Sequence, residues 1–85
     1  MDISRDEQRV LHTLAQGGSI HALKDEKGRI VAVECYNRDG WLMNRCSLFL
    51  FRKLKSRKAI SSAGGMPYRI TRRGLVLVRS EFDNR

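Results

Sequence analysis

Between Gly40 and Ser80 the chain carries ten basic residues and no acidic one. Like charges that find no partner within their own segment must be spread over the surface of a fold or answered by acids from elsewhere in the chain. Those acids lie earlier: residues 1–39 hold seven against six basic residues, and the last five residues sum to −1. The net charge of +8 over 85 residues therefore sits in one contiguous half. A solvated basic face that keeps a small protein soluble is the bland explanation. A surface that meets a polyanion is the better one, because no acid interrupts the run. Nucleic acid, an anionic membrane and an acidic protein surface are the partner classes that such a balance allows.

At 85 residues the chain predicts one domain, residues 1–85, with a small core and marginal stability. A two-domain enzyme is excluded, and there is little room for a deep pocket. The longest apolar run, Leu48–Phe51, is far short of the roughly 20 residues a membrane span needs. The start, Met1-Asp2-Ile3-Ser4-Arg5-Asp6, has no basic stretch followed by an apolar one, so no secretory signal is expected. With two cysteines and no such signal, the expectation is a cytoplasmic protein with reduced thiols.

Local patterns predict the elements. Ser4-Arg5-Asp6-Glu7 fits a capping box, in which the Ser4 hydroxyl accepts from the Glu7 N–H and the Glu7 carboxylate reaches back to Ser4. Val10, Leu11, Leu14 and Ala15 then form one apolar stripe, and Gly17-Gly18 stops the helix. Ser19–Lys24 and Arg29–Asn37, separated by Asp25-Glu26-Lys27-Gly28, read as a β-hairpin. Trp41-Leu42-Met43 is either a short third strand or a lead-in to the next helix. Within Ser47–Lys58, residues Leu50, Phe51 and Leu54 share one helical face, and Arg52, Lys53, Lys55, Ser56, Arg57 and Lys58 cover the remainder. Phe49 falls nearer the basic side, which is unusual for a solvated face. Ala59–Ser62 and Met66–Ile70 flank the turn Ala63-Gly64-Gly65 as a second hairpin, and Thr71 is a good N-cap for a last helix, Arg72–Phe82. The expected fold is α+β, a winged-helix-like small domain in the order α-β-β-α-β-β-α.

That expectation rests on the second half. An apolar-and-basic helix, a glycine-tipped hairpin and the string Tyr68-Arg69-Ile70-Thr71-Arg72-Arg73-Gly74-Leu75 resemble the end of a winged-helix domain, where the hairpin is the wing. In such domains a basic helix enters the major groove and the wing touches backbone. The first half departs from the pattern, because a full helix-turn-helix expects another helix where this chain has a hairpin.

A narrower resemblance runs nearly end to end. Ser4-Arg5-x-Glu7-Gln8-Arg9-x-Leu11-His12-x-Leu14-Ala15-x-Gly17-Gly18, then Val33-Glu34-Cys35-Tyr36, Pro67-Tyr68-Arg69-Ile70 and the tail Asp83-Asn84-Arg85 resemble the YjhX-type family of small bacterial proteins. The resemblance implies a toxin of a bacterial toxin–antitoxin pair whose described activity is inhibition of DNA topoisomerase I, with an antitoxin as its second partner. It brings no catalytic motif and no functional residues with it.

No constellation for catalysis is legible. Hydrolysis would need a nucleophile, a base and an orienting group in one pocket, and nothing in the sequence gathers His12 and His21 around Cys35 or Cys46. His12, beside Gln8 and Gln16, is expected on the exposed flank of the first helix. Zinc needs closely paired ligands, whereas Cys35 and Cys46 are eleven apart, and Cys35 alternates with Val31 and Val33 as a small buried thiol would. No metal or other cofactor is expected, and the chain is read as a binding protein, not an enzyme. Arg52, Lys53, Lys55, Arg57 and Lys58, with Arg69, Arg72 and Arg73, are the candidate phosphate- or partner-binding residues, and Phe49 is a candidate anchor. Trp41 is expected in the core, since so small a domain tends to bury its only tryptophan. Two functions follow as expectations: a toxin that binds and inhibits topoisomerase I, or a winged-helix transcriptional regulator that binds DNA.

Overall fold

A computed structural model describes the backbone of residues 3–44 and 46–83 and side chains as far as Arg79. Met1 and Asp2 of the chain start, and Asn84 and Arg85 of the tail motif, lie outside the described residues, as does Arg45. The chain is mixed α+β, with elements α1 (Arg5–Ala15), β1 (Ser19–Lys24), β2 (Ile30–Tyr36), β3 (Leu42–Met43), α2 (Leu48–Ser56), β4 (Ile60–Ser61), β5 (Arg69–Ile70) and α3 (Arg72–Asp83). The two-residue strand β3 is absent from the order expected above. It forms because Asn37 folds the preceding loop back, its side-chain oxygen accepting from the N–H groups of Asp39 and Trp41 at 2.9 Å each. That turn pairs Met43 with Cys35 and Leu42 with Tyr36.

Helix α1 begins with the capping box as read: the Glu7 N–H donates to the Ser4 hydroxyl at 3.1 Å, and the Ser4 N–H donates to the Glu7 carboxylate at 3.0 Å. It ends on Gly17, whose φ of 108° no side chain adopts readily. Strands β1 and β2 pair antiparallel, with β3 on the far edge of β2. Asp25 holds their connecting turn by accepting from the N–H groups of Lys27 and Arg29. Strands β4 and β5 form a separate antiparallel ribbon. The two sheets meet at one bridge, where Ile20 and Tyr68 exchange N–H···O bonds of 2.9 and 2.8 Å.

The core lies where α1, α2 and both sheets converge. Val10, Leu11 and Leu14 of α1 pack with Ile20, Cys35, Leu50, Phe51, Leu54, Ala59 and Ile60. Phe51 fills its centre, meeting Tyr68 edge-on at 4.9 Å between ring centroids. Trp41 does not join it. The tryptophan is 72% exposed, a correction to the expectation of burial. It lies in the β2–β3 turn, where its N–H donates to the Asn37 side chain and its carbonyl accepts from the Asn37 N–H, so the turn fixes its position.

Candidate functional site

The outer face of α2 is built by its own periodicity. Helical residues advance by about 100° each, so the buried set Leu50, Phe51 and Leu54 leaves Phe49, Arg52, Lys53 and Ser56 on the opposite side. Ser47 starts the helix, its hydroxyl accepting from the Leu50 N–H at 3.1 Å. Phe49 thus stands near the middle of the outward face and is 72% exposed. The Lys53 ammonium sits 5.4 Å from the centre of its ring, a cation–π distance.

The C-terminus of α2 turns back on itself. The Lys58 N–H donates to the Lys55 carbonyl and the Ala59 N–H to the Leu54 carbonyl, the double closure that normally places glycine at the left-handed position. Here that position is Lys58, with φ of 60°. A side chain in this conformation is strained by roughly 1 kcal/mol or more, yet it carries a cation to the end of the helix. Lys58→Gly is therefore expected to raise the thermal midpoint by relieving the strain, by about 0.5 kcal/mol of stability or more after the greater freedom of an unfolded glycine is subtracted. Differential scanning calorimetry of the two chains checks it.

Helix α3 closes the site. Thr71 caps it, accepting from the Gly74 N–H at 3.1 Å and donating to the Lys58 carbonyl at 2.7 Å. Arg73 donates from Nε to the Arg57 carbonyl at 2.8 Å. These bonds hold the first turn of α3 against the end of α2. The result is a cleft of about 770 Å³ lined by Phe49, Arg52, Lys53, Ser56, Arg57, Lys58 and Arg73. Among these lining residues there are five cations and no acid.

One acid stands behind the cleft. Glu7 of α1 is fully buried, and its carboxylate accepts from Arg57 Nε at 2.8 Å and lies 3.5 Å from Lys53 Nζ. Burial alone would push this carboxyl up. The Ser4 N–H and the Arg57 guanidinium favour the charged form more strongly and hold it below the usual carboxylate range. Arg57 and Lys53 are thereby fixed as the wall of the cleft, and Arg52, Lys58 and Arg73 have no carboxylate facing them among the described residues. The capping-box pattern alone assigns Glu7 to the helix cap. Its spacing to Val10, Leu11 and Leu14 puts it on the apolar stripe, and a carboxylate on a buried stripe requires a cation from elsewhere in the fold.

The other candidate residues lie apart from the cleft. Lys55 projects over the Tyr68 ring at 5.7 Å, Arg69 donates to the Gly17 carbonyl at 3.2 Å, and Arg72 is exposed. His12 is exposed and within 3.3 Å of the Gln16 amide. Cys35 and Cys46 are both free, and despite their separation in sequence they are neighbours in the fold. The hydrogen bond from Cys46 makes the Cys35 thiol the more acidic, while the same neighbour pushes Cys46 up. No group of three or more His, Cys, Asp or Glu side chains converges among the described residues. No helix among them is long and apolar enough to cross a membrane.

A family model described as "Putative toxin of bacterial toxin-antitoxin pair" matches residues 1–85. A "UPF0386 protein" of Chelativorans sp. (strain BNC1) is 62% identical over 85 residues, covering the whole of both chains. Relatives from Rhizobium etli and Hyphomonas neptunium are each 60% identical, over 85 and 84 residues, with 99–100% of each chain covered. No solved structure matches the chain. The full-length match and these identities place the chain in the YjhX-type family of toxins from bacterial toxin–antitoxin pairs, a membership that implies an antitoxin as partner.

Proposed function

We propose that this chain is the toxin of its pair and acts by binding, without catalysis, to inhibit DNA topoisomerase I through the cationic cleft around Phe49. The observation that carries the reading is the gathering of Phe49, Arg52, Lys53, Arg57, Lys58 and Arg73 in one cleft with no acid among its lining residues. An exposed aromatic flanked by cations is the composition of an interface anchor that meets an anionic partner. Topoisomerase I as the target follows from the family resemblance, and the charge pattern is compatible with it.

A second reading has its own support. Helix α2 is followed by a ribbon whose turn holds Gly64 and Gly65 at φ of 58° and 78°, and then by α3 capped at Thr71. That succession supports a winged-helix-like fold and a duplex-binding regulator. The three-stranded sheet β1-β2-β3 follows α1 where a full helix-turn-helix expects another helix, which favours the toxin reading.

Relaxation of supercoiled DNA by purified topoisomerase I, measured against increasing amounts of this chain, separates the two. Inhibition at protein levels too low to coat the DNA, with a saturable complex, is the expected result. Normal relaxation with no detectable complex contradicts the toxin reading. Tight duplex binding whose log affinity falls steeply with log salt, by about 0.9 per phosphate neutralised, supports the regulator in its place.

A further inference from the structure

The cleft is more selective than its charge alone requires. Phosphates need only cations, and a phenyl ring contributes nothing to them, yet Phe49 stands in the cationic strip with most of its surface in water. Lys53 lies over the ring at 5.4 Å and Arg52 lies one turn from it on the same face of α2. Lys58 and Arg73 close the far end. The bases of a duplex are stacked on one another and offer no free face to such a ring. An unpaired strand offers a free base face beside every phosphate, and an aromatic platform flanked by cations matches that repeat. The site is walled by α2 and the first turn of α3, so its cations and the ring are held by two elements.

We infer that the cleft binds single-stranded nucleic acid, with a base stacked on the Phe49 ring and the flanking phosphates held by Arg52, Lys58 and Arg73. Arg57 and Lys53, tied to Glu7, form a wall that is already in place before the strand arrives, which reduces the ordering cost of binding. The inference rests on reading this cleft as the binding surface, but it does not depend on topoisomerase I being the target. If both hold, the toxin engages the enzyme where its DNA is unpaired.

The test is fluorescence anisotropy with three labelled probes of roughly ten nucleotides: oligothymidylate, the same sugar–phosphate chain without bases, and a duplex of matched length. Stacking predicts that the abasic strand binds about 5- to 100-fold more weakly than oligothymidylate. Phe49→Ala, at an exposed position that leaves the core intact, should lose a similar factor on oligothymidylate and little on the abasic strand. Phe49→Tyr, which keeps a π face, should retain binding. Oligouridylate in place of oligothymidylate shows whether the 2′-hydroxyl is tolerated, and base-dependent binding of either strand supports the inference. Equal affinity for abasic and base-bearing strands overturns it, as does tighter binding to the duplex. Failure to bind any oligonucleotide while relaxation is still inhibited also overturns it, and would seat a protein segment in the cleft. Base-dependent binding with normal relaxation upholds the inference and removes only the proposed target.

Discussion

Glu7→Ala is expected to lower the thermal midpoint by about 15 °C or more, from a loss of roughly 3 kcal/mol or more at 4–8 °C per kcal/mol in a domain of this size. The substitution removes three things together. It deletes half of the capping box on α1, empties a fully buried position, and takes away the carboxylate that faces Arg57 and Lys53. Arg57 keeps 21% and Lys53 39% of its side chain in water, so both can turn outward, which places the cost at the lower end of the range for broken buried pairs. Glu7→Gln keeps the volume and the cap and isolates the charge.

The sign of the pH dependence follows from the depressed carboxyl. Well above the usual carboxylate range Glu7 is ionised in both folded and unfolded chains, and its contribution is fully present. As the pH falls through the ordinary glutamate value the unfolded chain takes up its proton first, and stability drains away until the folded carboxyl protonates as well. The difference in thermal midpoint between the natural chain and Glu7→Gln should therefore be largest near neutrality and shrink toward about pH 3. A difference that stays constant over that span would mean that Glu7 acts by shape and not by charge.

Gly74→Ala carries the second large effect, and its sign opposes helix propensity. Alanine in place of glycine within a helix ordinarily gains about 1 kcal/mol. Here a Cβ on residue 74 would lie 2.4 Å from the Ala59 carbonyl oxygen and 2.6 Å from Ile70 Cγ1. The carbonyl also accepts the Thr71 N–H at 2.9 Å, so it is part of the junction that fixes the first turn of α3 and cannot yield alone. Pushing α3 away is expected to cost about 1–3 kcal/mol and to displace Arg73 from the cleft, weakening partner binding as well. Chemical denaturation reads the first effect, and an alanine variant as stable as the natural chain would contradict the close approach.

What was legible in the sequence was what neighbouring residues decide. Ser4 with Glu7, Gly17-Gly18, Asp25–Gly28 and Thr71 each close a turn or cap a helix within a few residues, and the buried face of α2 follows from its period. The strand β3 is not legible in the sequence, because two residues carry too little pattern to separate a strand from a lead-in. The exposure of Trp41 is not legible either, because its position is set by the Asn37 turn, whereas residue type alone favours burial. The tie between Glu7 and Arg57 spans 50 positions and could not be read locally, although an acid on the apolar stripe of α1 announces that some cation must meet it. The same long-range tie decides which cations are wall and which face outward, so the basic run showed the presence of a surface but not its division into Arg52, Lys58 and Arg73 on one cleft and Lys55, Arg69 and Arg72 elsewhere.

In the proposed function the toxin acts through the cleft around Phe49. The most direct test is the relaxation titration repeated with Arg52→Glu and Lys58→Glu combined, a variant that leaves Glu7, the bond from Arg73 to the Arg57 carbonyl and the core untouched and whose folding is checked by circular dichroism. Loss of inhibition, or a need for about tenfold or more protein to reach it, is the expected result. Full inhibition at the protein levels the natural chain requires would contradict the account.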